Sequence, residues 1–222
     1  PIFFVKLGNG NHRVTEIEKG IILGVERATK EVPLRPNVVH PLTRKNPGNN
    51  TGLHMPYINY GFHKEPYIEL TVMTKGAGSE NMSALAMLTP AQGRKGIKNF
   101  IIDTVVKAGS NPCPPVVLGI GIGGSADITM KLSKEALLRP IGKNHSEPEI
   151  AQLENELMSE LNELGIGTMG LGGKVTVFGV KIEYAYCHTA SLPVAINVQC
   201  WADRRATARI YNDDKVEIVE PR

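Results

Sequence analysis

Apolar residues recur at helical spacing in four stretches of this chain of 222 residues. The stretches predict helices over residues 15–30, 97–106, 126–138 and 150–164, because side chains three and four positions apart share one helix face. The first has the form of a capping box at its start and ends before Pro33. The last is followed by Gly165, where a left-handed cap is commonly needed.

Strand-like runs alternate with the helices, at residues 2–6, 67–73, 116–120, 174–186, 194–198, 207–211 and 216–219. The first half favours some parallel pairing, whereas the closely spaced strands after Lys174 are typical of hairpins. Between Pro33 and Pro66, a stretch rich in Pro, Asn, Gly and His is predicted to be a functional or disordered loop. The pattern predicts a mixed α/β (α+β) fold with helices packed on mixed β-sheets, in a single domain over residues 1–222.

Composition narrows the class of protein. An apolar content of 41% supports an ordinary core, and the formal charge of +3 comes from interspersed charges, which does not indicate nucleic-acid binding. No apolar run approaches the roughly 20 residues of a membrane helix, and the start at Pro1 lacks a basic signal-peptide region. Three cysteines argue against a disulfide framework and favour reduced thiols. We expect a cytoplasmic protein.

Two glycine-containing segments, residues 119–124 and 75–82, each follow a strand and precede a helix. The first matches the glycine pattern of a dinucleotide-binding fingerprint, but the acidic residue expected about 20 positions later is missing. Free backbone N–H groups at a helix start favour an anion, and two such turns could share one pocket. The alternative is that both are only tight turns.

The chemistry-bearing side chains are concentrated in two places, Cys113 in a Pro-rich loop and the segment from Cys187-His188 to Cys200-Trp201. His188 is preferred to the other histidines, which are His12, His40, His54, His63 and His145, because it lies between a strand and a cysteine-bearing return. Adjacent residues of a strand point to opposite faces, so only one of Cys187 and His188 can face a common site. The alternatives are buried structural cysteines and a satisfied structural histidine.

These motifs together resemble the class I iron–sulfur fumarate hydratases and the related L-tartrate dehydratases. The resemblance is carried, in the family's order, by Lys75–Glu80, by Cys113-Pro114-Pro115 with the glycines of 119–124, by residues 187–193, and by Cys200-Trp201 with Arg204-Arg205. It covers nearly the whole chain. The family holds a four-iron four-sulfur (4Fe-4S) cluster on three cysteines, and the fourth iron binds the substrate as a Lewis acid.

The resemblance implies a role for five residues. Cys113 and Cys200 would be cluster ligands, and His188 would be the catalytic residue that contacts or helps to protonate the substrate. Gly78 and Arg35 resemble positions that hold the substrate carboxylates, and an arginine fork suits a dicarboxylate. The third cluster cysteine of the family lies upstream of the strand that begins here at Pro1, so we expect the natural N-terminal segment to be absent.

The implied activity is reversible hydration of fumarate to malate, a step of the tricarboxylic acid cycle, by the α subunit of a hydro-lyase. A β subunit or second domain would complete the proton transfer, in a hetero-oligomer or with a homodimer of α. One alternative is the α subunit of an L-tartrate dehydratase. The other is a non-catalytic domain that binds a small anion, in which the cysteines are merely buried.

Overall fold

The computed structural model describes residues 1–10, 14–213 and 215–219. Its helices are α1 (Val14–Glu31), α2 (Ala77–Glu80), α3 (Gly93–Ala108), α4 (Ala126–Ala136) and α5 (Pro148–Glu163). Its strands are β1 (Ile2–Leu7), β2 (Tyr57–Phe62), β3 (Tyr67–Met73), β4 (Ala84–Leu88), β5 (Val116–Gly123), β6 (Val177–Ala185), β7 (Leu192–Gln199), β8 (Arg205–Tyr211) and β9 (Val216–Val219). The chain divides into a first unit, Pro1–Thr74 with Arg204–Arg222, and a second unit, Lys75–Asp203.

The first unit is a five-stranded sheet in the order β2-β1-β3-β8-β9 with α1 on one face. β1 pairs in parallel with β2 and antiparallel with β3, and β8 and β9 form an antiparallel hairpin. Alternating apolar residues of β1 pack against one stripe of α1, with Phe3, Val5, Ile21 and Val25 buried at the centre. This packing explains why the amphipathic pattern of residues 15–30 forms a helix.

The second unit is a four-stranded sheet in the order β4-β7-β5-β6, with helices on both faces. β5 is parallel to β6 and antiparallel to β7. One face is covered by α3 and α5, whose buried residues Ile101, Leu157 and Leu161 pack against Leu118 and Ile120 of β5. α4 covers the opposite face of β5, so β5 is buried on both sides and reads as a continuous apolar run.

Glycines in β5 allow α4 to lie close to the sheet. A Cβ atom added to Gly119 would lie 2.0 Å from the carbonyl oxygen of Ser133, and one added to Gly121 would lie 2.0 Å from that of Thr129. The run at 119–124 is therefore mostly strand, and only Gly123 and Gly124 adopt positive φ before α4. The strand predicted to end at residue 120 continues to Gly123, because most of the backbone of this run pairs with β6 and β7.

The mixed α/β fold class and the four long helices are confirmed, and Gly165 has the expected positive φ of 65°. Thr15 lies inside α1 and does not cap it. The segment between Pro33 and Pro66 contains the unpredicted strand β2, and β4 was also missed. β6 and β7 do not form a hairpin, because β5 lies between them. That residues 1–222 work as a single domain stays a prediction.

No helix in the described part of the chain has the length and apolar character needed to cross a membrane.

Candidate functional site

Cys113 and Cys200 lie at the same edge of the second unit's sheet. Cys113 precedes β5 and Cys200 directly follows β7, and the two strands are antiparallel with Val117 opposite Gln199. The start of β5 and the end of β7 therefore lie side by side. The backbone N–H of Trp201 donates to the carbonyl oxygen of Cys113 over 3.4 Å, which joins the two cysteine-bearing loops.

The loop that carries Cys113 is fixed by close contacts with two glycines. A Cβ atom on Gly78 would lie 2.5 Å from the carbonyl oxygen of Asn111, and one on Gly170 would lie 2.5 Å from Cβ of Ser110. Cys113 itself has a φ of 57°, and its N–H donates to the carbonyl oxygen of Ser110 over 3.0 Å. Gly78 thus allows α2 to approach the Cys113 loop, and the structure brings Gly78, Cys113 and Cys200 together.

All three cysteines carry free thiols, and Cys113 is exposed whereas Cys200 is half-buried. Thiolates are the usual protein ligands of iron–sulfur clusters, so an exposed and a half-buried thiol on adjoining loops fit part of a cluster site. Residues 1–10, 14–213 and 215–219 contain no group of three or more His, Cys, Asp or Glu side chains that could hold a metal ion. The described residues therefore bring two thiols together at this edge, without a third such side chain beside them.

A lysine at the start of the second unit is the most buried charge near this edge. Lys75 has a side chain that is 6% exposed, and its Nζ lies 2.7 Å from Oε2 of Glu80. Nζ of Lys134 lies 2.9 Å from Oε1 of the same carboxylate. The one-turn helix α2 brings Glu80 back to Lys75. Sequence reasoning missed this cluster, although the two charges at either end of the Lys75–Glu80 motif were a signal for it.

Burial and charge act against each other in this cluster. Burial lowers the pKa of Lys75, and the hydrogen bond and negative charge of Glu80 only partly offset it, with a smaller contribution from the charge of Cys200. Burial also disfavours the ionised form of Glu80, but the hydrogen bonds and charges of Lys75 and Lys134 outweigh it and hold the pKa of Glu80 below its usual range. The group formed by Lys75, Glu80 and Lys134 therefore places positive charge on the side of the cysteine loops.

His188 lies at the opposite end of the same sheet. It is part of the loop between β6 and β7, and β7 runs for eight residues from Leu192 to Gln199 before Cys200. At about 3.3 Å per residue, the two ends of β7 are roughly 23 Å apart. Within one copy of the chain, the second unit therefore does not place His188 beside the cysteine pair.

The His188 loop is organised by local hydrogen bonds. Nδ1 of His188 accepts from the N–H of Ala190 over 3.1 Å, and its carbonyl oxygen accepts from the N–H of Ser191 over 2.9 Å. Cys187 donates its thiol to the carbonyl oxygen of Ser191 over 3.2 Å. β6 ends at Ala185, so Cys187 and His188 lie in the loop and not in a strand. Strand alternation therefore does not separate their side chains. The ring of His188 is exposed.

The remaining candidates lie elsewhere. Arg35 belongs to the first unit, where it follows α1 and is exposed. Arg205 begins β8 of the same unit. His40, His54 and His63 are also in the first unit, and His12 lies outside the described residues. His145 is in the second unit, 3.8 Å from a carboxylate oxygen of Glu183.

The turn before α4, for which an anion site and a plain tight turn were the alternatives, carries a carboxylate of its own. Asp127 lies in the first turn of α4 and accepts a hydrogen bond from the hydroxyl of Ser125. That bond, together with the backbone N–H groups of Asp127 and Ile128, holds the pKa of the carboxyl below its usual range. The helix start is therefore already occupied by a carboxylate of the chain itself.

Comparison with known proteins gives a consistent result. A family model described as fumarate hydratase (Fumerase) matches residues 1–209. A putative L(+)-tartrate dehydratase subunit alpha from Methanocaldococcus jannaschii is 56% identical over 220 residues, which cover 97% of this chain and 77% of that relative. The L(+)-tartrate dehydratase subunit alpha from Escherichia coli (strain K12) is 37% identical over 213 residues, which cover 96% of this chain and 70% of that relative.

Proposed function

We propose, because this chain belongs to the fumarate hydratase (Fumerase) family, that it hydrates fumarate reversibly to malate as the α subunit of a hydro-lyase. The chain is a hydro-lyase subunit by its family. The adjacency of Cys113 and Cys200 at one sheet edge supports an iron–sulfur site most directly.

The proposed cofactor is a 4Fe-4S cluster. Cys113 and Cys200 would hold it, together with a third donor that is not among the described residues. When bound, the cluster supplies a Lewis acid for the substrate hydroxyl and carboxylate. Lys75 would stabilise the negative charge that collects at this edge, because its ammonium is withdrawn from water and close to Cys200.

Two residues are proposed to hold the substrate carboxylates. Arg35 would bind one carboxylate through its planar fork of N–H donors. Gly78 would hold the other at the turn that lies against the Cys113 loop, where its lack of a side chain allows the close approach to Asn111. Fixed donors on both carboxylates stabilise the charge that develops when a proton is removed from or added to the adjoining carbon.

His188 is proposed to move a proton at an active site that two copies of the chain share. Roughly 23 Å of strand separates the two ends of β7, so His188 would reach a cysteine pair of a second copy more readily than its own. A homodimer of α subunits would supply this arrangement. A β subunit would add the remaining groups for proton transfer, since the relatives are named as alpha subunits.

L(+)-tartrate dehydration is the second candidate activity, and the names of the relatives favour it. Tartrate and malate are both C4 dicarboxylates with a hydroxyl beside a carboxylate, so the same groups would serve either reaction. A cytoplasmic location is part of the proposal, because free thiols are typical of a reducing compartment.

The test is to co-express the full-length chain with its β subunit, load iron and sulfide anaerobically, and measure fumarate hydration and L(+)-tartrate dehydration separately. A higher kcat/KM for fumarate is the expected result. A higher value for tartrate would assign the second activity. Iron-free protein that binds dicarboxylates without turnover would instead establish a non-catalytic anion-binding domain.

A further inference from the structure

The segment that follows α1 holds Arg35 in an ordered backbone. The carbonyl oxygen of Arg35 accepts a hydrogen bond from Nδ2 of Asn50 over 3.1 Å. The backbone N–H of Asn37, two positions on, donates to Oδ1 of the same Asn50 over 2.7 Å. One side chain therefore fixes the backbone at Arg35 and at Asn37, so the intervening peptide units cannot turn independently.

Asn50 is itself firmly held. It is 6% exposed and has a φ of 60°, a conformation that asparagine tolerates better than most residues. Its Nδ2 also donates to Oγ1 of Thr29 over 3.1 Å, and the hydroxyl of Thr29 donates to the carbonyl oxygen of Val25 over 2.8 Å. Through these bonds the backbone of Arg35 is tied to the last turns of α1, which packs on the sheet.

A second asparagine acts on the next peptide unit. Nδ2 of Asn46 donates to the carbonyl oxygen of Pro36 over 2.8 Å. The N–H of Leu34 donates to the carbonyl oxygen of Thr29 over 3.0 Å, which connects the preceding residue to α1 as well. Backbone groups on both sides of Arg35 are therefore anchored.

The guanidinium group of Arg35, unlike its backbone, is not anchored by the described residues. Within the part of the chain that the structure describes, its side chain is exposed and makes no hydrogen bond or ion pair. A fixed backbone beneath an unengaged cation reduces the conformational entropy that is lost when an anion binds.

We infer that Asn50 is a positioning residue that presents Arg35 to a carboxylate of the substrate. The inference rests on the proposed function, because it takes Arg35 as a substrate-binding residue. Displacement of a binding group by about 1 Å can cost on the order of 100-fold in rate, so loss of the Asn50 contacts should lower kcat/KM.

The test compares Asn50→Gly, Arg35→Met and the double variant in the complete complex with the β subunit. Glycine adopts a positive φ without strain, and it removes the side chain with its amide. We expect Asn50→Gly to lower kcat/KM by about 10- to 100-fold, mainly through KM. In the Arg35→Met background, the same change should alter kcat/KM by less than about 2-fold, because both changes remove one interaction.

The matched control is Asn49→Ala, whose side chain bonds to Glu26 and to the N–H of Thr51 and leaves Arg35 untouched. It should keep kcat/KM within about 2-fold of the parent. If Asn50→Gly does not fold, Asn50→Asp replaces it, because aspartate keeps the acceptor for Asn37 and loses the donor to Arg35. Calorimetric binding of malate to each complex gives a readout that does not need turnover.

The outcomes distinguish failure of the inference about Asn50 from failure of the proposed function. If Arg35→Met raises KM and Asn50→Gly leaves it unchanged, or if the two effects multiply fully, Asn50 does not act through Arg35 and the inference is overturned. If Arg35→Met leaves KM and malate affinity unchanged in an active complex, Arg35 is not a substrate-binding residue and the inference falls with that role. A parent complex without hydratase activity contradicts the proposed function instead.

Discussion

Lys75 and Glu80 show how a single pair of side chains can stabilise the edge that carries the cysteines. Lys75 is almost fully buried, whereas Glu80 is partly exposed and shared with Lys134. Removing one partner of a buried pair leaves an uncompensated charge, which costs more than the pair contributes when intact. The charge of Glu80 therefore matters mainly because Lys75 cannot reach water.

We predict that Glu80→Gln lowers the free energy of unfolding by about 1–2 kcal/mol at pH 7, a value reduced for the exposure of Glu80. The pKa of Glu80 is held below its usual value, so its contribution is present above the unfolded-state pKa and is lost as pH falls through the folded-state pKa. Denaturant unfolding between pH 7 and pH 3 measures both effects.

The control for this prediction is Lys75→Met combined with Glu80→Gln. Because the double variant no longer has an unpaired charge at the buried position 75, it should recover part of the lost stability. If adding Lys75→Met to Glu80→Gln lowers the free energy of unfolding by as much as an independent substitution would, the pairing of the two side chains is contradicted. A pH dependence identical in parent and Glu80→Gln would contradict the pKa argument.

Sequence alone indicated some of the residues that the structure brings together at the cysteine edge and not others, for physical reasons. Cys113, Cys200 and Gly78 stand in the short motifs that carry the family resemblance, and the structure brings them together. Lys75 and Asn50 were missed because burial is a property of the folded chain, and both lie in polar surroundings that read as exposed loop. Residue type does not reveal which member of a polar segment faces inward.

Among the elements, the contact between α4 and β5 depends most clearly on residue size. We predict that Gly121→Ala lowers the free energy of unfolding by about 3 kcal/mol, because its Cβ would lie 2.0 Å from the carbonyl oxygen of Thr129 and α4 would have to move. Gly142→Ala is the matched control in the same unit, since its Cβ would have no neighbour within 4 Å. Thermal unfolding measures both, and equal stabilities would contradict the close packing.

The long helices were predictable because their apolar periodicity extends over several turns, as in α3 and α5. β4 was missed because Ala84–Leu88 contains only Ala, Leu and Met, which favour helix and lack the β-branched residues typical of strands. β2 was missed because it lies in a stretch dominated by turn residues. In both strands, pairing with a neighbour decides the conformation and local propensity does not.

For the complete assembly, the position of His188 gives the most specific expectation. Co-expression of a Cys200→Ser chain with a His188→Asn chain should restore activity when each active site draws its cysteines and its histidine from different copies. In a two-fold dimer, half of the dimers are mixed and each has one intact site, so about a quarter of the parent activity is expected. Activity no higher than that of the separate variants would contradict the shared site.

The separation of His188 from Cys200 could not be read from the sequence. Cys187, His188 and Cys200 are close along the chain, and proximity in sequence suggested one site. β7 instead runs as a full-length strand between His188 and Cys200, so these residues, 12 positions apart, lie at opposite ends of the sheet. Strand order is fixed by pairing across the whole unit, which no local pattern contains.

The most direct test is to measure iron, sulfide and fumarate hydration in the reconstituted complex for Cys113→Ser, Cys200→Ser and Cys187→Ser. The cluster assignment predicts that the first two lose bound iron and activity together, and that Cys187→Ser keeps both, because serine can make the same hydrogen bond to Ser191. Parent-like iron content in Cys113→Ser and Cys200→Ser would contradict the account.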